Sequence, residues 1–176
     1  AAVGVKSSAE LDVLKALEEL GLAADLIVGG SVGALVGALH ACGTSATELE
    51  RMALDLGVTQ MGRLAMTGEG RFTGTPMAEL VNRELRYQPI EKLPTRFAAV
   101  VIERQSRKPM LFNAGDGGIA VQASSAIEGT FTPVRIRGVQ YVDADLVVPM
   151  PVRLARALGA AKVLAVDVSA HEDRAP

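Results

Sequence analysis

The stretch DLIVGGSVGALVGAL, residues 25–39, starts as an apolar segment of strand type, passes through Gly29-Gly30-Ser31-Val32-Gly33, and continues as an Ala/Leu/Gly pattern suited to a helix. It predicts a short buried strand, Leu26 to Val28, turning sharply into a helix, Val32 to Ala41, whose small residues permit close packing on a sheet. The turn satisfies G-x-S-x-G, the nucleophile elbow, in which a strained strand-to-helix corner pushes a serine hydroxyl into solvent. Glycines flank the serine because a Cβ there would collide with the neighbouring strand or helix. The amides at the N-terminus of the following helix favour negative charge developing at the same spot. A serine that merely caps a glycine-rich turn is the plain alternative, and a phosphate cradle is a second. Against the cradle, no P-loop lysine follows and the G-x-G-x-x-G spacing is absent.

The rest of the composition narrows the class. With 176 residues, 49% of them apolar, the chain suits one domain with a sizeable core. Lys+Arg 18 against Asp+Glu 20 gives a net charge of -2 with no block of either sign, so the electrostatic footprint of a nucleic-acid binder is missing. One cysteine, Cys42, excludes an intrachain disulfide and a multi-cysteine metal cluster and reads as a small core residue, in keeping with a reducing compartment. The N-terminal AAVGVKSSAELDVL carries no signal-peptide pattern. Leu26 to Thr47 runs 22 residues without a formal charge, near the ~20 of a membrane span. Its five glycines, Ser31 and His40 argue instead for a buried strand–turn–helix.

Around this unit the chain alternates. Leu11, Leu14, Leu17 and Leu20 recur at helical spacing before Gly21, a left-handed C-terminal stop. Ser45 and Glu48 form a capping-box pattern for a helix to about Leu56, and residues 57–74 are glycine-rich and irregular. Thr75 and Pro76 read as N-cap and first turn of a helix to Arg86. Strands are expected at Phe97–Ile102 and Met110–Phe112, a short helix at Gly117–Ala123, and a strand pair at Val134–Ile136 and Val139–Val142 about Gly138. A helix over Pro151–Leu158 leads into AKVLAVDV, expected as a last buried strand. The pattern predicts an α/β fold: a three-layer α/β/α sandwich around a mainly parallel sheet.

A serine nucleophile needs a base, and there are two histidines. His40 lies nine residues along the same helix, roughly 13 Å from Ser31 at 1.5 Å per residue, and cannot serve. His171 follows the last expected strand, so a Ser31-Asp143-His171 triad in α/β-hydrolase order is one reading, and a solvated tail histidine is the other. Asp143, at the end of an apolar strand in VQYVDADLVVPMPV, is the remaining candidate, or else a loop aspartate capping its own turn. Asp145 reads as a solvated loop charge.

Three segments, DVLKALEELGL, DLIVGGSVGALVGALHACG and VQASSAIEGTFTPVRIRGVQYVDADLVVPMPV, together resemble the patatin-like phospholipases over nearly the whole chain. The resemblance implies a single patatin-like domain over residues 1–176, lacking the family's first strand. It also implies a Ser-Asp dyad in which Asp143 takes the Ser31 proton directly, without a metal or organic cofactor. The expected activity is hydrolysis of lipid acyl esters through an acyl-enzyme, on a lipid or ester substrate, in the cytoplasm and peripheral to a membrane surface. Backbone amides near Val3, Gly4 and Val32 would hold the oxyanion, with Gly29, Gly30 and Gly33 shaping the elbow. Met61, Leu64, Met66 and Phe72 are candidates for an apolar lip, and loops 57–74 and 103–116 for the walls of the pocket. The chain departs from the family pattern in AAVGVKS where a glycine-rich oxyanion loop stands, and in Asp143-Ala144-Asp145 where D-G-G or D-G-A is usual. Val32 replaces a usual alanine, and Glu128 a common proline. These departures define the rival reading, a patatin fold kept as a lipid-binding or interaction module.

Overall fold

A computed structural model of the chain describes residues 6–55 and 72–167. Its helices are α1 (Lys6–Glu19), α2 (Val32–Ala41), α3 (Ala46–Asp55), α4 (Thr75–Glu84), α5 (Gly117–Ser124) and α6 (Val152–Ala157). Its strands are β1 (Leu26–Gly29), β2 (Arg96–Glu103), β3 (Pro109–Phe112), β4 (Val134–Ile136) and β5 (Val139–Asp143).

Local chemistry sets most of the boundaries. Gly21 takes φ 66 after α1, and its N–H and that of Leu22 donate to the carbonyls of Glu18 and Leu17, closing a Schellman motif. Ser45 Oγ accepts from the Glu48 amide at 3.2 Å and starts α3, and Asp116 accepts from the Ile119 amide at 2.8 Å to start α5. The cap of α4 is Gly74, one residue ahead of the threonine expected there, and the helix stops at Glu84 because Arg86 and Tyr87 turn left-handed. Arg137 and Gly138, with φ 49 and 80, make the tight hairpin between β4 and β5.

Among the described strands the sheet is mixed: β1 and β2 pair in parallel, and β2–β3, β2–β5 and β4–β5 pair antiparallel. The expectation of a mainly parallel sheet fails because β2–β3 and β4–β5 are joined by connections too short for anything but antiparallel pairing. AKVLAVDV was expected to add a parallel strand, but its described part, to Asp167, pairs with no strand, and Leu164 stays 65% exposed. Apolar composition supplies a buried face only where a strand edge is there to receive it.

β2 organises everything else. Ala99 pairs with both Gly29 and Phe112, and Val101 with both Met110 and Asp143. A strand has two edges, so β3 holds one and β1 and β5 share the other. Running in opposite directions, β1 ends opposite Ala99 and β5 ends opposite Val101, and their C-terminal ends meet head to head.

Helices cover both faces, as the near-continuous burial of β2 demands. Phe97, Ala99 and Val101 face α2, α4 and α5 through Ala34, Ala38, Val81, Leu85, Val121 and Ala123. Val100 and Ile102 face the other way, onto Val142, Ala144, Val148 and Leu154 of β5, its following loop and α6. α1 and α3 pack outside α2 through Leu11, Leu39 and Leu49. Among the described residues, no helix is long and apolar enough to cross a membrane. Cys42 is partly buried against the main core.

The elbow is built by backbone contact. A Cβ on Gly29 would stand 2.2 Å from the Gly33 carbonyl oxygen, so strand end and helix start can approach this closely only without a side chain. Gly118 does the same for α5, where a Cβ would lie 2.2 Å from the Ala78 carbonyl oxygen of α4. Gly33 is less confined, its nearest neighbour being the flexible Glu10 side chain at 3.3 Å. Gly29→Ala is therefore expected to destabilise the fold by about 1–3 kcal/mol in urea denaturation, and Gly33→Ala by clearly less. Equal losses for the two would contradict this account of the elbow.

Candidate active site at the nucleophile elbow

Ser31 occupies φ 51, ψ -121 between β1 and α2, a conformation that costs a non-glycine residue about 1–3 kcal/mol and persists only when its surroundings impose it. The surroundings are the C-terminal end of α5. Ser124, fully buried, accepts the Ser31 amide at 3.0 Å and donates its own hydroxyl to the Val100 carbonyl of β2 at 2.6 Å. Ser125 Oγ donates to the Ser31 carbonyl at 3.4 Å. Ser31 is thus held on both backbone sides and is 8% exposed, so the elbow carries its hydroxyl into a covered site and not into open solvent as expected.

Asp143 reaches the same place from β5. Its amide donates to the Ala126 carbonyl at 3.0 Å, tying the end of β5 to the α5 terminus that also clamps Ser31. Its Oδ1 accepts from the Asp145 amide at 2.8 Å, while Oδ2 is buried with no hydrogen-bond partner. Burial pushes the Asp143 carboxyl above the ordinary aspartate range, partly offset by the Asp145 amide and by the nearby Ser31 hydroxyl. The fold therefore brings Ser31 and Asp143 together.

The D-A-D departure has a simple geometry. Ala144 is fully buried among Val100, Ile102 and Val142, and neither Ala144 nor Asp145 takes a positive φ. Glycine is not required at either position. Asp145 is not a solvated loop charge: its Oδ1 lies 3.2 Å from where a Gly30 Cβ would stand, directly beside Ser31. Glu128 gives up the common proline for ion pairs with Arg104 and Arg107 of the β2–β3 turn.

Sequence reasoning also missed Glu10. From α1 its Oε1 faces Gly33 at the start of α2, and its Oε2 is buried without a hydrogen-bond partner. Burial, and next the negative charge of Asp145, push the Glu10 carboxyl up to about 7 from 4.5. Its helix-face position among apolar neighbours gives no sequence signal, since a glutamate on an amphipathic helix ordinarily faces water.

The other candidates separate. Val32 opens α2 beside Ser31, whereas Val3 and Gly4, with Met61, Leu64 and Met66, lie outside the described residues. Phe72 packs against Phe131, ring centroids 6.4 Å apart. His40 sits at the far end of α2, its Nδ1 2.9 Å from the Thr44 carbonyl, and His171 lies outside the described residues. Loop 103–116 divides between the β2–β3 turn, held by Glu128, and the approach to α5. Among the described residues, no group of three or more His, Cys, Asp or Glu side chains is placed to hold a metal ion.

An α/β fold with a serine elbow near a buried carboxylate, and no histidine between them among the described residues, defines a narrow class. The sequence profile described as Patatin-like phospholipase matches residues 4–156, and the chain belongs to that family. It is 26% identical over 178 residues to patatin-like phospholipase domain-containing protein 6 of Mus musculus, covering 97% of this chain and 13% of that one. An uncharacterized NTE family protein of Mycobacterium bovis is 28% identical over 172 residues, covering 96% of this chain and 48% of its own. The chain thus spans less than half the length of these relatives. VipD from Legionella pneumophila shares the fold, with a TM-score of 0.58 at 14% identity over 80% of this chain and 44% of that one.

Two predictions follow from the site's bonding. Ser124→Ala removes the acceptor of the buried Ser31 amide and is expected to cost about 1–3 kcal/mol in denaturant unfolding. Glu10 has a folded pKa of about 7, above the ordinary 4.5, so its burden on stability is absent below pH 4.5, grows between the two values, and is constant above 7. Glu10→Gln is therefore expected to match wild type in melting temperature at pH 4 and to exceed it at pH 8. A gain of equal size at both values would show that ionisation is not the cause.

Proposed function

We propose that this domain is a lipid acyl hydrolase working through a Ser31-Asp143 dyad and an acyl-enzyme. The observation that carries the reading is the meeting of a conformationally strained Ser31 with a buried Asp143 whose Oδ2 has no other partner. Ser31 Oγ attacks the ester carbonyl while Asp143 takes its proton. A carboxylate raised by burial is a stronger base than one in water, which suits direct deprotonation without an imidazole. The oxyanion of the tetrahedral intermediate lies at the N-terminus of α2, where the Val32 amide points outward without an intrahelical acceptor, and the Val3 and Gly4 amides complete the hole. Asp143 returns the proton to the leaving alcohol, and water then attacks the acyl-Ser31 ester with Asp143 again as base.

The substrate is a lipid ester met at a membrane surface, with the domain acting peripherally in the cytoplasm. The D-A-D sequence supports turnover over mere binding, because Ala144 and Asp145 occupy unstrained backbone and cost the site no geometry.

Fluorophosphonate labelling and p-nitrophenyl ester hydrolysis test the reading. Ser31→Ala is expected to abolish both, Asp143→Asn to lower kcat about 10²–10⁴-fold, and His171→Ala to leave kcat within about twofold. The acid limb of kcat/KM is expected above the ordinary aspartate pKa of about 3.9, because rate is lost as Asp143 protonates. Loss with His171→Ala but not with Asp143→Asn would replace the dyad by a triad. Should wild type equal Ser31→Ala while a variant carrying glycine at positions 1, 2, 3 and 7 turns over, the domain is a binding module with a disabled oxyanion loop.

A further inference from the structure

The two glycines nearest Ser31 on either side each face a carboxyl group. A Cβ on Gly30 would meet Asp145 Oδ1 at 3.2 Å, and a Cβ on Gly33 would meet Glu10 Oε1 at 3.3 Å. With Asp143 beneath, Ser31 is bracketed by acidic side chains from α1 and from the loop after β5. Glu10 stands at the N-terminus of α2, where the developing oxyanion would also seek positive potential. The ion pairs Lys15–Glu50, Arg51–Glu48 and Arg104/Arg107–Glu128 commit those cations elsewhere. Among the described residues, Glu10 meets the first turn of α2 at Gly33, and His40 stands at the far end of that helix beside Glu18. α3 presents Glu48, Glu50 and Arg51, Glu50 paired with Lys15 of α1 and Glu48 with Arg51, and Asp12 lies on the exposed side of α1. The loop after β5 presents Asp143 and Asp145.

We propose that Glu10, with Asp145, determines specificity at this site by disfavouring substrates that carry negative charge close to the scissile carbonyl, directing it to uncharged acyl esters such as acylglycerols over anionic phospholipids. The inference rests on the hydrolase reading above and names the substrate class for it. A carboxylate at Glu10 and an anionic group on the substrate are both partly removed from water here, so their repulsion is felt far more than on an open surface. An uncharged ester brings no charge of its own and meets this repulsion only at the oxyanion, which both kinds of substrate form. The effect follows the state of Glu10, whose burial and whose neighbour Asp145 set its ionisation near neutral pH, so discrimination rises as the pH passes through about 7.

The test compares kcat/KM for p-nitrophenyl valerate and for the mono-p-nitrophenyl ester of glutaric acid, which share a leaving group and an acyl length and differ by one negative charge. Because both need the same base, the ratio cancels the titration of Asp143. Wild type is expected to favour the uncharged ester by about tenfold or more at pH 8 and by clearly less at pH 6. In Glu10→Gln the ratio is expected to be smaller at pH 8 and flat with pH, and Asp145→Asn supplies an independent reduction. Circular dichroism melts establish that each variant is folded. A pH 8 ratio unchanged in both variants overturns the proposal while Ser31-dependent turnover leaves the hydrolase reading intact. If no Ser31-dependent turnover exists, that reading fails, and displacement of Nile red by monolaurin and by dodecanoate decides the proposal. Preference for monolaurin at pH 8 that Glu10→Gln narrows supports it, and equal preference in wild type and variant overturns it.

Discussion

The site exists because two strands share one edge of β2 and run into each other. β1 travels with β2 and stops opposite Ala99, and β5 travels against it and stops opposite Val101. Whatever follows β1 and whatever ends β5 must then share a small volume, which is how residues more than a hundred positions apart in the chain come to face one another. The meeting point is stitched from the side by Ser124, Ser125 and Ala126, which bond to both backbone sides of Ser31 and to the amide of Asp143. Ser124 extends the tie to β2 itself through the Val100 carbonyl. Four elements are locked at one junction, and that over-determination is what allows Ser31 to keep a backbone conformation it would otherwise leave.

The elbow itself was legible because its requirement is local. G-x-S-x-G describes a close approach within five residues, and the 2.2 Å gap between a Gly29 Cβ and the Gly33 carbonyl is the reason for the first glycine. The C-terminal stop at Gly21, the Asp116-capped helix and the Arg137-Gly138 hairpin were also set by neighbours in sequence or by the spacing of apolar residues. Asp143 could be singled out only by adding a family resemblance to its place at a strand end. Ser124, Glu10 and the true position of Asp145 were not legible, since each acts on partners that only tertiary folding brings near. Ser124 and Ser125 look like polar residues at the end of a helix, and nothing in VQASSAIEG says that one of them is fully buried and bonded to the Ser31 amide. The sheet's mixed character was misread for a related reason: apolar runs predict burial but leave strand direction to the connections.

Burying acids beside Ser31 is costly, and the fold distributes that cost unequally. Asp143 receives the Asp145 amide at 2.8 Å and lies near the Ser31 hydroxyl, so its carboxyl is raised but still supported. Glu10 receives no described donor at Oε2, and it is the group pushed furthest, to about 7. Two acids close to one elbow are thereby both raised by burial, with the larger shift on Glu10. A third acid, Asp145, links them, offering its amide to Asp143 and its negative charge to Glu10.

Seen this way, the departures in the described part of the family pattern alter charge more than shape. Ala144 keeps the small side chain that the packing of Val100, Ile102 and Val142 requires, and its backbone makes no demand that only glycine could meet. Glu128 exchanges the stiffness of a proline for contacts to two arginines, which anchor the β2–β3 turn where the proline would have fixed the chain. Each such exposed pair contributes little by itself, about 0–1 kcal/mol, so its part is to orient the turn and not to carry the fold. Asp145, by contrast, brings a second carboxyl to the end of β5, and it raises Glu10 across the elbow. Asp145 and Glu10 thus bring carboxyl groups to the glycines on either side of Ser31, while the strand-to-helix corner keeps its shape.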